Sequence, residues 1–276
     1  MWDKLKTRLI SAVVLIAILL AIVFFTPDWA FSLVVCALTF LIMSELTKVL
    51  RLETKPCIVI TNYIFAAAFM VLSFINLEMA NALIFMIMVL FIMTLMIIAI
   101  INHEKVKFSD VCASIFLVFY SVVFLMHLTF IRKLDSGIAL LFMPIIGAYI
   151  TDTGAYFTGM LMGKHKLIPA ISPNKTVEGA VGGIVWTVVA FVVYGIVMTS
   201  MGFTVNYLLL IVLAILCGVI AQFGDLTASL IKRNFSVKDF GNVIPGHGGF
   251  VDRVDSLMFV APIVYYFITF LPVITK

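Results

Sequence analysis

The sequence predicts an all-α integral membrane protein with about nine transmembrane helices and a cytoplasmic N-terminus. Three observations lead there. The 276 residues have a mean hydropathy of +1.23, with 64% hydrophobic and only 12% charged side chains. Too few polar groups exist to cover a water-facing surface, so lipid must be the solvent for most of the chain. The apolar residues also fall into long continuous runs without period-2 alternation, which argues for helices and against a closed β-barrel. Finally, the basic residues are distributed with a strong side bias.

A helix needs about 20 mostly apolar residues to cross the hydrocarbon. Such stretches occur near 9–26, 29–47, 57–75, 80–102, 109–131, 137–162, 178–200, 206–231 and 255–274. The first follows Lys4, Lys6 and Arg8 and resembles a signal peptide in its charge. It is long for one and lacks a small-residue cleavage site, so a retained span is expected. The second is the least regular, because Glu45 and Lys48 sit near its end. With the N-terminus inside, fifteen of the eighteen Lys and Arg residues fall on the cytoplasmic side, and only Arg132, Lys133 and Lys276 fall outside. Inside-facing loops beside anionic lipid account for the net charge of +4, without a nucleic-acid partner. The expected location is the plasma or inner cell membrane, multi-pass.

No linker or low-complexity tract interrupts this pattern, and there is no convincing internal repeat. One polytopic domain over 1–276 is expected, with 1–131 supplying helices of no assigned role and 137–276 carrying the polar chemistry. The cysteines, Cys36, Cys57, Cys112 and Cys217, have neither metal-ligand nor disulfide spacing and read as small apolar side chains.

Ionic chemistry has few places to occur. Asp152 and Asp225 lie well within apolar segments, where each costs about 2.5–3.5 kcal/mol at a helix centre and therefore needs a partner, a cavity or a function. Gln222, Asp225, Ser229 and Lys232 share one helix face; Asp152, Tyr156, Gly159 and Gly163 form a similar stripe. Between these helices, Pro173 breaks helical geometry, Asn174 or Thr176 can cap the next helix, and Lys175 sits at its anion-favouring N-terminus. On spacing alone, an ordinary capped loop with a snorkelling lysine explains this turn better than a phosphate site. Gly179 and Gly183 have the spacing of helix-packing glycines.

The densest polar run lies between the last two spans. Lys232, Arg233, Lys238 and Arg253 are four cations suited to phosphate groups. Gly246, Gly248 and Gly249 flank His247 and let backbone approach a ligand. Asp239, Asp252 and Asp255 are hard oxygen donors suited to Mg²⁺, which binds through one or two carboxylates plus substrate phosphates. Simpler readings exist for each: Asp252 or Asp255 as helix N-cap, Lys232 and Arg233 as topological anchors, His247 as a satisfied loop histidine. Together these leave the glycines and the alternating charge signs unexplained. No Walker-type GxxxxGK[ST], nucleophile elbow or HExxH occurs.

This run resembles the phosphatidate cytidylyltransferase (CDP-diacylglycerol synthase) family, whose signature S-x-x-K-R-x4-K-D-x-G-x2-I-P-x-H-G-G-x2-D-R-x-D is matched from Ser229 to Asp255. Asp152-Thr153-Gly154-Ala155-Tyr156 and Ser172-Pro173-Asn174-Lys175-Thr176-Val177-Glu178-Gly179 resemble the family's other polar segments, although Asn174 stands where many members have lysine. The resemblance covers the C-terminal half; the first five spans match only in hydropathy.

The resemblance implies a Mg²⁺-dependent transfer in which CTP and phosphatidic acid give CDP-diacylglycerol and pyrophosphate, and the side bias of the basic residues puts it at the cytoplasmic face. It implies Asp225 and Asp252 as Mg²⁺ ligands, with a second cation such as K⁺ between them. Lys232, Arg233, Lys238, His247 and Arg253 would hold phosphate oxygens. Lys175, Ser229, Asp239, Gly248, Gly249, Asp255, Asp152 and Glu178 would line the substrates. Asp152 and the Lys175–Glu178 turn are expected to share a cavity with Asp225. The implied partners are both substrates and the bilayer, with a homodimer allowed. Two other readings stay open: a CTP-dependent polyprenol or phytol kinase, which would need a general base for a hydroxyl acceptor, and an ion-coupled transporter using Asp152 and Asp225.

Overall fold

A computed structural model describes residues 20–241 and 248–276. Among them, eight helices are long and apolar enough to cross a membrane. They correspond to the second through ninth predicted spans. The first, 9–26, lies mostly outside the described residues; Leu20–Phe25 is helical. The chain divides into two compact units, Met1–Thr129 with Asp239–Asp252, and Phe130–Lys238 with Arg253–Lys276.

In the first unit, α1 (Asp28–Val49) follows Pro27, and α2 (Pro56–Val71) opens with proline at a position where a missing N–H does no harm. The Asn76 side chain caps α3 (Leu77–Ile101) by accepting from Met79 N at 2.8 Å. α4 (Phe108–Val118) continues through a π-helical turn, Phe119–Val123, into α5 (Phe124–Arg132). The buried side of α1 repeats at helical spacing through Phe31, Val35, Thr39, Ile42, Met43 and Leu46. Buried hydroxyls and amides find partners between helices, as lipid requires. Asn62 donates to Ser114 Oγ at 3.2 Å, and Thr129 to Ser73 Oγ at 2.9 Å. α3 buries only Ala80, Phe91 and Leu95, and its remaining apolar surface suits hydrocarbon.

In the second unit, α6 (Gly137–Met162) and α7 (Val177–Ser200) are joined by an antiparallel hairpin of β1 (Lys166–Ile168) and β2 (Ser172–Thr176). α8 spans Tyr207–Asn234 and α9 Val251–Phe270; the two-residue strands β3 (Thr204–Val205) and β4 (Ile274–Thr275) pair at the far end. Glycine lets α6 and α7 meet backbone to backbone. A Cβ on Gly179 would lie 2.7 Å from the Ala155 carbonyl oxygen, and one on Gly183 would lie 2.9 Å from that of Thr151. α8 and α9 approach as closely, since a Cβ on Gly224 would lie 2.6 Å from Asp255 O.

One boundary differs from expectation in a way that affects the chemistry. The last helix starts at Val251, not 255, so Asp252 and Asp255 lie on a helix and not in a loop. Its charged first turn lowers the local hydropathy and hides the helix start. The simple capping reading also fails for Asp252, because it lies within the helix and its Oδ2 accepts from Phe240 N and Gly249 N, while Glu45 of α1 accepts from Phe250 N and Val251 N at 3.0 Å each.

Candidate functional site

The second unit contains a cavity of about 440 Å³ lined by Asp152, Tyr156 and Gly159 of α6, Asn174, Lys175 and Thr176 of β2, and Gln222 and Asp225 of α8. Local structure positions each group. Thr176, not Asn174, caps α7, its Oγ1 accepting from Gly179 N at 3.1 Å. That cap fixes the strand-to-helix turn and points Lys175 at α8. There its Nζ lies 2.6 Å from Asp225 Oδ2, with side chains 23% and 33% exposed. Gln222 is held one turn earlier, donating to Ala180 O and Gly218 O at 3.0 and 2.9 Å.

Asp255 is a third carboxylate in this region, 8% exposed, with Oδ1 accepting from Ser256 N at 2.8 Å. Asp152, Asp225 and Asp255 lie close enough to repel one another, and Lys175 and Lys232 offset part of that repulsion. Three acids against two lysines leave the region rich in hard carboxylate oxygen, an arrangement suited to a cation. Among the described residues, no three acidic, histidine or cysteine side chains converge at ligand distance. Mg²⁺ tolerates this, because one or two carboxylates suffice when phosphates complete its shell.

Two of the remaining cations lie at the C-terminal end of α8. Lys232 and Arg233 occupy its last turn, where the helix carbonyls favour positive charge. Arg233 Nε donates to Ile171 O at 3.2 Å and so ties the hairpin to α8. Lys238 and Arg253 are exposed; Ser229 is buried on α8. The carbonyl oxygen of Arg253 accepts from Tyr149 OH at 3.2 Å. Glu178 does not line the cavity. Its carboxylate accepts from the backbone N–H groups of Lys164 and His165 and contacts His165 Nδ1 at 2.6 Å, tying the end of α6 to the start of α7. His247 lies outside the described residues.

The first unit holds the other half of the signature. Asp252 Oδ2 accepts from Phe240 N at 3.0 Å and Gly249 N at 3.1 Å, drawing the two ends of the glycine loop together. Gly248 has φ of +80°, and a Cβ there would meet the carboxylates of both Asp252 and Asp239, at 3.2 and 3.4 Å. Glu45, 4% exposed, is the functional candidate that sequence reasoning passed over. The signal was available, since Glu45, like Asp152 and Asp225, is an acid placed in an apolar span.

A sequence profile of the cytidylyltransferase family matches residues 6–271. The chain is 40% identical over 160 residues to a phosphatidate cytidylyltransferase of Staphylococcus haemolyticus, a match covering 58% of this chain and 60% of the relative. It is 40% identical over 164 residues to that of Staphylococcus saprophyticus, covering 59% and 61%. A Bacillus subtilis protein of the same name is 44% identical over 137 residues, covering 49% and 50%. The chain thus spans about half to three-fifths of the length of the curated relatives it matches.

Proposed function

The chain belongs to the cytidylyltransferase family, and from that premise we propose that it is a phosphatidate cytidylyltransferase working at the cytoplasmic membrane face. The observation that carries this reading is the cavity in which Lys175 and Asp225 face each other beside Asp152. It offers a cation for phosphate and hard oxygens for a metal, within helices that lipid can surround.

In the proposed reaction a phosphate oxygen of phosphatidic acid attacks the α-phosphorus of CTP. The new P–O bond forms as the bond to the β-phosphate breaks, and pyrophosphate leaves with the electron pair. The lipid phosphate is already anionic, so no strong general base is needed. The difficulty is bringing two anions together, which makes positioning and charge neutralisation the main contributions. Lys175, Lys232, Arg233, Lys238, His247 and Arg253 supply that neutralisation. Arg233 can keep Nε on Ile171 O while its terminal nitrogens address an oxygen, because guanidinium has five donors. By the signature, Asp225 and Asp252 are the carboxylates that would hold Mg²⁺, which when bound supplies charge to the phosphate oxygens. Asp152 orients a cation or Lys175. Ser229, Asp239, Gly248, Gly249 and Asp255 complete the substrate surroundings, while Glu178 holds the turn behind Lys175.

The cytoplasmic placement rests on the bias of fifteen of eighteen basic residues. The deciding test uses the purified full chain with phosphatidic acid vesicles and CTP labelled at either the α- or the γ-phosphate. Label from the α-position is expected in lipid. Transfer of γ-label would make the protein a lipid kinase, and transfer of neither would end the reading.

A further inference from the structure

We propose that Glu45 is a positioning residue for the signature loop, a carboxylate of α1 that holds the start of α9 and so sets the place of Asp252. The proposal rests on the reading above only in giving Asp252 a role in turnover; the contact itself stands independently.

Both oxygens of Glu45 are committed. Oε1 accepts from Phe250 N and Oε2 from Val251 N, each at 3.0 Å. These are donors that a helix N-terminus leaves without an intrahelical partner. A buried carboxylate is stabilised where such donors and the positive end of the helix dipole converge. The side chain is 4% exposed and arrives from 206 positions away in sequence. It is not a local cap that another residue of the loop could replace.

The glycines around it fit the same purpose. A Cβ on Gly241 would lie 2.5 Å from Glu45 Oε1, and its three nearest neighbours would all be Glu45 atoms. A Cβ on Gly249 would lie 2.6 Å from Oε2 and 2.7 Å from Gly241 N. Gly241 and Gly249 are therefore small because Glu45 and the opposing backbone occupy the space, a requirement separate from any close approach of substrate. Asp252 closes the arrangement by taking the amides of Phe240 and Gly249. Glu45 and Asp252 share the loop ends between them. Glu45 holds the two amides at the helix start, and Asp252 bridges from the helix back to both strands of the loop.

The test uses the detergent-solubilised full chain. Hydrogen–deuterium exchange is measured without nucleotide or metal over a peptide containing Phe250 and Val251. Glu45→Ala should speed exchange there by about 10-fold or more, because both acceptors are lost. Glu45→Gln keeps a single acceptor oxygen and should fall between Ala and wild type. Turnover should follow the same order, with the Ala variant down by about 10–100-fold, as for other residues that orient a metal-site carboxylate. Gly241→Ala alone should be damaging. Combined with Glu45→Ala it should add little, because the atoms it would strike are gone. If Glu45→Ala does not fold, Glu45→Gln and Gly241→Ala carry the test. Unchanged exchange at Phe250 and Val251 in the Gln variant, or in the Ala variant where that folds, would overturn the proposal, as would additive effects of Glu45→Ala and Gly241→Ala. Should the wild type transfer no α-label to lipid, the functional reading fails while the exchange experiment still decides the contact.

Discussion

The ammonium of Lys175 lies 2.6 Å from the carboxylate of Asp225, so the residue suited to a phosphate and the residue suited to a metal neutralise each other. Neither group has to be desolvated alone. If Asp225 were to hold a metal and Lys175 a phosphate, as proposed, each would exchange one counter-charge for another, with little net change in charge pairing.

Replacing Lys175 tests this directly. Lys175→Met should lower turnover by about 10²–10³-fold, the usual effect of losing one group that stabilises developing charge. It should also cost stability, by about 1–3 kcal/mol, because Asp225 is left largely buried without its counter-charge. Transfer of α-label and thermal unfolding in detergent, measured on one preparation, separate the two effects. A large fall in unfolding temperature with unchanged turnover would make Lys175 structural.

Asp225→Asn and Asp252→Asn should each abolish turnover while the protein stays membrane-inserted. Each keeps an oxygen but removes the charge that a hard cation needs. A Mg²⁺ titration checks the assignment, and near-normal rates at ordinary Mg²⁺ would remove that residue from the metal role.

Among the cations Lys232, Arg233, Lys238, His247 and Arg253, alanine variants should each lower turnover or weaken binding of CTP or phosphatidic acid. If all five bind both substrates and turn over normally, the run is only a topological anchor. Arg233→Lys should behave unlike a conservative change, because lysine cannot hold Ile171 O and reach an oxygen at once. Faster proteolysis or deuterium exchange across the β1–β2 hairpin would register the lost contact.

Gly179→Val should destabilise the second unit by about 1–3 kcal/mol, since the new Cβ meets the Ala155 carbonyl and the helices must move apart. A lowered unfolding temperature with loss of the Lys175 environment is expected. Unchanged stability would show that the α6–α7 contact tolerates separation.

The sequence by itself determined eight of the described helices, because lipid demands that backbone polar groups be satisfied internally, and long apolar runs without period-2 alternation do so as helices. It also singled out Asp152, Asp225 and the run from Ser229 to Asp255 as candidates for chemistry, since charge in so apolar a chain needs a reason. Tertiary structure decided which charges meet. Lys175 reaches Asp225, fifty positions away, only because the Thr176 cap and the glycine-mediated approach of α6 and α7 aim it there. Glu178 turned to His165 and local backbone instead of the cavity. The true start of α9 was hidden because its N-terminal donors are satisfied by Glu45 from the other end of the chain, and no local pattern encodes a partner 206 residues away. Hydropathy reports the solvent of a segment, whereas the pairing of buried charges depends on how the helices pack.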